Sequence, residues 1–363
     1  MPAQALPPDW PGGFWWHWVI FTVGIIGVVL GVVMAFIYVE RRGMARMQSR
    51  LGPNRTGPFG IFQPVADALK VLMKENIVPT AADQLIHWLA PMVAFFPALM
   101  IFAVIPIGNG AVLADLNIGI LYVVAISSVS TLGIFMAGWS SGSKYSLLGA
   151  MRNVAAIVSY EIPLGLAILG VVMLAGSLSL NDIVVAQKIP YILLQPLGFL
   201  LFFIAGCAEI NRSPFDLMEA DSELVAGFHT EYSGMKFAMF YLVEYAEAVA
   251  VSAIIATLFL GGWRGPILPP WAWFAIKVFA VFFLMVWTRS TLPRVRIDQL
   301  MAMAWKFLFP LAIINLLITA LEVLLWGQAN VWLLVTINLA ITGALIIIWA
   351  KLFFKVGAGR FEV

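Results

Sequence analysis

Residues 14–39 read FWWHWVIFTVGIIGVVLGVVMAFIYV, and residues 40–50 continue as ERRGMARMQSR. The first 26 of these positions hold no Asp, Glu, Lys or Arg; charge returns at once in Glu40, Arg41 and Arg42. A helix needs roughly 20 apolar residues to cross the hydrocarbon core, so this run is long enough. It is also longer than the apolar stretch of a signal peptide, and Met1 to Pro11 hold no basic residue. The run is therefore expected to be a retained span. Trp10, Trp15, Trp16 and Trp18 ring its first end as an aromatic belt at headgroup level.

The rest of the chain repeats this pattern. Of its 363 residues, 62% are apolar and 11% charged, whereas a soluble domain carries about 25% charged residues. The expected fold is an all-α polytopic membrane protein of about nine transmembrane helices. The runs lie at 14–39, 85–107, 117–139, 153–176, 190–209, 237–260, 271–290, 306–326 and 331–354. The polar connections are 41–84, 210–236 and 291–305. No repeat or low-complexity tract divides the chain, so 1–363 is expected to be a single membrane domain. Its landmarks are a first inner loop at 40–84, an acidic inner loop at 210–236 and a last span at 331–354.

Basic residues set the orientation. With the N-terminus outside, 18 of the 21 Lys and Arg residues fall on the inner, cytoplasmic face. Only Lys188 and Arg264 fall outside, and Lys277 lies within a span. An odd number of spans then leaves the C-terminus inside.

The first inner loop contains more than turns. After Gly52-Pro53 and Gly57-Pro58, the residues Ile61, Phe62, Val65, Leu69, Leu72 and Met73 recur at helical spacing. Asp67, Lys70, Lys74 and Glu75 fall between them. This predicts an amphipathic helix lying in the plane of the cytoplasmic interface, either as a surface anchor or as one wall of a cavity open to lipid.

Ionisable groups inside spans are costly and mark function. Glu161 lies mid-span, Glu209 closes its span, and Glu322 lies near an outer end. Glu244 and Glu247 are three apart, on one helical face. No equally buried cation is evident beside them, so they suit proton exchange. In the acidic loop, Asp216, Glu219 and Glu223 follow helical spacing.

Several chemistries lack their residues. The lone Cys207 excludes an intramolecular disulfide and a four-thiolate cluster held by this chain alone. His17 and His87 fall at opposite ends of their spans, roughly 30 Å apart, and cannot share a haem. Gly138 to Lys144 is one residue short of a phosphate loop and follows a span, not a strand. No metal site and no covalent catalytic residue is expected. Two function classes remain: a redox-complex subunit handling a lipid-soluble carrier, or a stand-alone proton-coupled transporter.

Ordered motifs from about residue 35 to 310 resemble the H-type subunit of proton-translocating NADH:quinone oxidoreductase, respiratory complex I. They include Glu40-Arg41-Arg42, Gly52-Pro53-Asn54-Arg55, Gln63-Pro64, Asp67 to Lys70 and Ser159-Tyr160-Glu161. Further on come Glu209 to Arg212, Pro214 to Leu217, Glu223-Leu224-Val225, His229 to Ser233, Leu258 to Trp263 and Asp298-Gln299-Leu300.

The resemblance implies that the subunit forms the membrane part of a quinone chamber, with Glu40, Arg41, Asp67 and Lys70 lining it. It implies a proton path through Glu161, Glu209, Asp216, Glu219, Glu223, Glu244 and Glu247. It also implies that quinone is the substrate and that this chain binds no cofactor. The iron–sulfur clusters and FMN would lie in partner subunits, both hydrophilic and antiporter-like, in a bacterial cell membrane, with no role for nucleic acid. Membrane-bound hydrogenases share this architecture and form the alternative. Two departures are visible. Many members have eight spans, and the run 117–139 has no carboxylate, so a relay there needs Ser127, Ser128, Ser130, Thr131 or water.

Overall fold

The computed structural model describes residues 15–216, 227–326 and 331–358. Its regular elements there are helices. They are α1 (Trp15–Met47), α2 (Gln63–Leu72), α3 (Gln84–Met100), α4 (Gly119–Ser140), α5 (Lys144–Ala175), α6 (Leu180–Ala186) and α7 (Tyr191–Leu194). Then follow α8 (Pro196–Glu209), α9 (Gly234–Phe259), α10 (Pro270–Thr291), α11 (Ile297–Ala302), α12 (Phe309–Trp326) and α13 (Val331–Ala358). A π-helical turn, Met303–Leu308, joins α11 to α12.

Among the described residues, six helical stretches are long and apolar enough to cross a membrane. They are Gln84–Ala103, Gly119–Ser140, Lys144–Ala175, Gly234–Phe259, Pro270–Thr291 and Ile297–Leu325. Pro196–Glu209 and Trp332–Ile348 are shorter apolar stretches. At a rise of about 1.5 Å per residue, the 33 residues of α1 reach about 50 Å.

Three boundaries differ from the sequence expectation. α1 continues to Met47, so Glu40, Arg41, Arg42 and Arg46 are helical instead of opening a loop. The run 190–209 is broken at Gln195, whose φ of −131° and ψ of 63° are not helical. The following Pro196 disfavours the α conformation at Gln195. Part of the expected connection 291–305 is helical, because Asp298 and Gln299 open α11.

The bundle is organised around α9. Of its apolar window, 83% is buried, against 28–50% in the other five stretches, so α9 is central and the others present a face outward. Small residues allow close approach. A Cβ on Gly133 of α4 would lie 2.7 Å from the backbone nitrogen of Ala94 on α3. Tyr160 of α5 donates to the Leu300 carbonyl of α11 at 2.9 Å.

At the opposite end from the acidic loop, side chains cap the connections. Gln187 donates to the Thr257 and Leu258 carbonyls at 2.7 and 3.0 Å. Lys277 donates to the Gly262 and Arg264 carbonyls at 2.8 and 2.6 Å. The one cation that the sequence placed within a span is thus satisfied by loop backbone.

Candidate functional site

Three polar layers run from the α1–α2 surface into the bundle. The outermost joins α1 to α2. Arg41 forms an ion pair with Asp67, and Gln63 donates to the other carboxylate oxygen at 3.1 Å. Lys70 is 4.0 Å from Asp67 and largely exposed, a geometry worth little. Gly60, at a φ of +78°, supports the turn before α2; a Cβ there would come within 2.2 Å of the Pro53 carbonyl. Arg42 reaches Tyr38 and the Phe59 carbonyl beside it.

Glu40 does not share this surface. One residue along a helix turns the side chain by about 100°, and Glu40 points inward with no exposed surface. Arg212 Nη1 donates to both of its carboxylate oxygens at 2.7 Å, and Arg289 of α10 pairs with it as well. Arg212 Nε lies 3.1 Å from Glu244 of α9, and its guanidinium stacks 4.2 Å from the centre of the Tyr245 ring. Two carboxylates and two guanidiniums thus form a charge-balanced buried group. Burial works against the Arg212 charge, but Glu244 and Glu40 outweigh it and hold the pKa above its ordinary value. This corrects the expectation that the buried acids lack cations: Glu244 has one. Sequence reasoning missed Arg212 and Arg289 because both fall in or beside polar connections. The only local hint was the apolar flank of Arg212, Cys207-Ala208 and Pro214-Phe215.

The third layer is a cavity between α4, α5, α8 and α9. Ser127, Ser130 and Thr131 line it together with Glu209 and Glu247, and its remaining wall is apolar. Ser128 of α4 hydrogen-bonds Glu161 of α5. Glu209 of α8 and Glu247 of α9 face the same cavity. Oε1 of Glu247 is buried with no protein partner. The cavity thus brings Glu209 and Glu247 together, and Glu244, one turn from Glu247 on α9, meets the Arg212 group. α4 supplies only hydroxyls to this array. Glu244 and Glu247 share a helix but serve different neighbours, the ion group and the cavity.

Asp216 pairs with Arg294 at 3.2 Å. Glu219 and Glu223 lie outside the described residues. Near Asp216, burial pushes the His229 imidazole down to about 4 despite the opposing pull of Asp216. A further buried pair was not anticipated: Lys236 Nζ is 3.0 Å from His87 Nδ1, and the His87 ring stacks on Tyr232 at 4.0 Å.

Residues 20–320 match the sequence profile of a family described as NADH dehydrogenase. The chain belongs to the NADH dehydrogenase family. Among its relatives, a Dehalococcoides mccartyi protein, named as the H subunit of NADH-quinone oxidoreductase, is 59% identical over 350 residues, 96% of this chain and 99% of that protein. A Syntrophobacter fumaroxidans protein, named as a second H subunit of NADH-quinone oxidoreductase, is 49% identical over 330 residues, 88% and 99% of the two chains. A Geobacillus kaustophilus protein with the same name as the first is 50% identical over 315 residues, 84% and 95%. The NADH dehydrogenase match contains every residue of the three layers and ends before Glu322 and α13.

Proposed function

We propose that this chain is the H-type membrane subunit of a proton-translocating NADH:quinone oxidoreductase, where it forms the membrane part of the quinone chamber and couples quinone reduction to proton movement. The observation that carries this reading is the 59% identity, along 99% of its length, to a relative named as the H subunit of NADH-quinone oxidoreductase. The relatives' names favour quinone as the acceptor over a hydrogenase-type complex, and a subunit over a stand-alone transporter.

On this reading α2 lies in the inner interface. Phe59, Phe62, Val65, Leu69 and Met73 are exposed around it, and apolar exposure of this kind suits contact with acyl chains. The quinone enters there, and its head group meets Arg41 and Asp67, with Lys70 outermost. Glu40 lies one layer deeper and passes the charge change to Arg212 and Glu244. From Glu244 it reaches Glu247, Glu209 and Glu161, and the proton path also uses Asp216, Glu219 and Glu223. Interacting acids share protons, and the cavity shared by Glu209 and Glu247, with Glu161 held by Ser128 of the same helix that lines it, supports this role. Electrons arrive from iron–sulfur clusters and FMN in hydrophilic partner subunits, and antiporter-like subunits receive the coupled change. Counting α1, the α7–α8 pair and α13 with the six long stretches gives nine spans, with the N-terminus outside a bacterial cell membrane and the C-terminus in the cytoplasm.

Photolabelling tests the chamber. A photoreactive quinone analogue added to the assembled complex should label this chain within residues 38–73, in competition with quinone. Label confined to other regions or other subunits would remove the α1–α2 surface from the chamber.

A further inference from the structure

At the end of the bundle away from the acidic loop, a second polar group joins α12 to α13 and to the break before α8. Gln195, Asn315, Thr319, Glu322, Asn338 and Thr342 line one pocket. It shares no lining residue with the Glu209–Glu247 cavity. Along α8 the cavity lining reaches Phe202 and the pocket lining reaches Leu197, five residues or about 8 Å apart at about 1.5 Å per residue.

Hydrogen bonds fix how two amides point. Thr319 donates its only hydroxyl hydrogen to the Asn315 carbonyl at 2.8 Å, so at Gln195 it can only accept, from Nε2 at 2.7 Å. The Leu194 carbonyl can only accept, so the Asn338 group 2.8 Å away is its NH2; this also donates to Glu322 Oε2 at 3.1 Å.

Three buried atoms remain without a protein partner: Gln195 Oε1, Asn315 Nδ2 and Glu322 Oε1. Gln195 is 3% and Asn315 6% exposed. Leaving such an atom unmet costs about 1–3 kcal/mol. Two acceptors and one donor complement a water molecule, which donates twice and accepts. A bare cation would face the Asn315 NH2 group.

We propose that this pocket binds one ordered water molecule between Gln195, Asn315 and Glu322, and that through it Glu322 exchanges its proton with the aqueous phase at this end of the bundle. Glu322 is half-buried, within reach of water. No other lining residue titrates or carries charge. Tyr191 of α7 lies outside the lining, and α13 has no Asp, Glu, Lys or Arg before Lys351. The site is independent of the quinone reading, since it shares no residue with the chamber.

Two measurements on the intact complex test it. High-resolution electron microscopy should show a density peak within hydrogen-bond reach of Gln195 Oε1 and Glu322 Oε1. Infrared spectra recorded as pH differences should show a carboxyl band that shifts in D2O and is lost in Glu322→Gln. Where that variant does not assemble, Thr319→Val, which releases Gln195 and keeps the carboxyl, should shift the same band. A dry site overturns the proposal. So does a peak whose occupancy follows sodium, or a variant whose spectra superimpose on those of the parent.

Discussion

Arg212 is the residue whose removal should cost the fold most. Its guanidinium is 4% exposed and contacts Glu40 and Glu244 together. Glu40, Glu244, Arg212 and Arg289 sum to zero charge. Arg212→Leu leaves one uncompensated carboxylate in a group where Glu40 has no exposed surface. Breaking a buried ion pair from one side costs about 3–5 kcal/mol, because the remaining charge stays desolvated. Glu40→Gln leaves an uncompensated guanidinium and should cost a similar amount. The double variant Glu40→Gln/Arg212→Leu keeps Arg289 and Glu244 and restores neutrality, so its loss should fall short of the sum by about 2 kcal/mol. Resistance of this chain to pulse proteolysis across a denaturant series, in the solubilised complex, measures all three. If both single variants stay within about 1 kcal/mol of the parent, or the losses add, the charge-balanced group is not what holds these helices.

Three further outcomes are expected. Glu161→Gln should assemble and retain the fold yet lose coupled proton pumping; near-parental pumping would remove Glu161 from the path. Because the His229 pKa is about 4 when folded against 6.5 ordinarily, the folded state favours the neutral ring. Its stabilisation, up to about 3 kcal/mol, is complete above pH 6.5 and lost as the pH falls to 4. His229→Gln should flatten that acid limb, and an unchanged limb would assign it to other groups. Reporter fusions after residues 45, 150, 225 and 300 should all mark the inner face, and one clear outer signal would break the orientation.

The long uncharged runs made the helical membrane architecture readable, since nothing else tolerates such composition. Residue type alone singled out Glu161, Glu209, Glu244 and Glu247, because an acid in a span is conspicuous wherever it packs. The hydroxyls of α4 were readable for the converse reason: a span without a carboxylate had only Ser127, Ser128, Ser130 and Thr131 to offer. Arg212 and Arg289 were not readable as site residues. Their burial arises when chain segments more than 170 residues apart close around Glu40, and no local pattern records that closure. The inward turn of Glu40, next to Arg41 paired with α2, has the same origin, since α1 packs on α9 and α10 as well as on α2. The break at Gln195 was available from the proline after it but was hidden by the apolar content of 190–209.

Quinone meeting the α1–α2 surface is the central claim. Arg41→Ala and Asp67→Ala test this most directly, with quinone-dependent NADH oxidation measured beside reduction of a water-soluble artificial acceptor in the same assembled complex. Removing either partner of the Arg41–Asp67 pair should lower quinone-dependent turnover about 10-fold or more, as expected for about 1.4 kcal/mol or more of lost stabilisation, and leave the artificial acceptor rate near the parent's. Equal loss of both rates, or loss of neither, would contradict it.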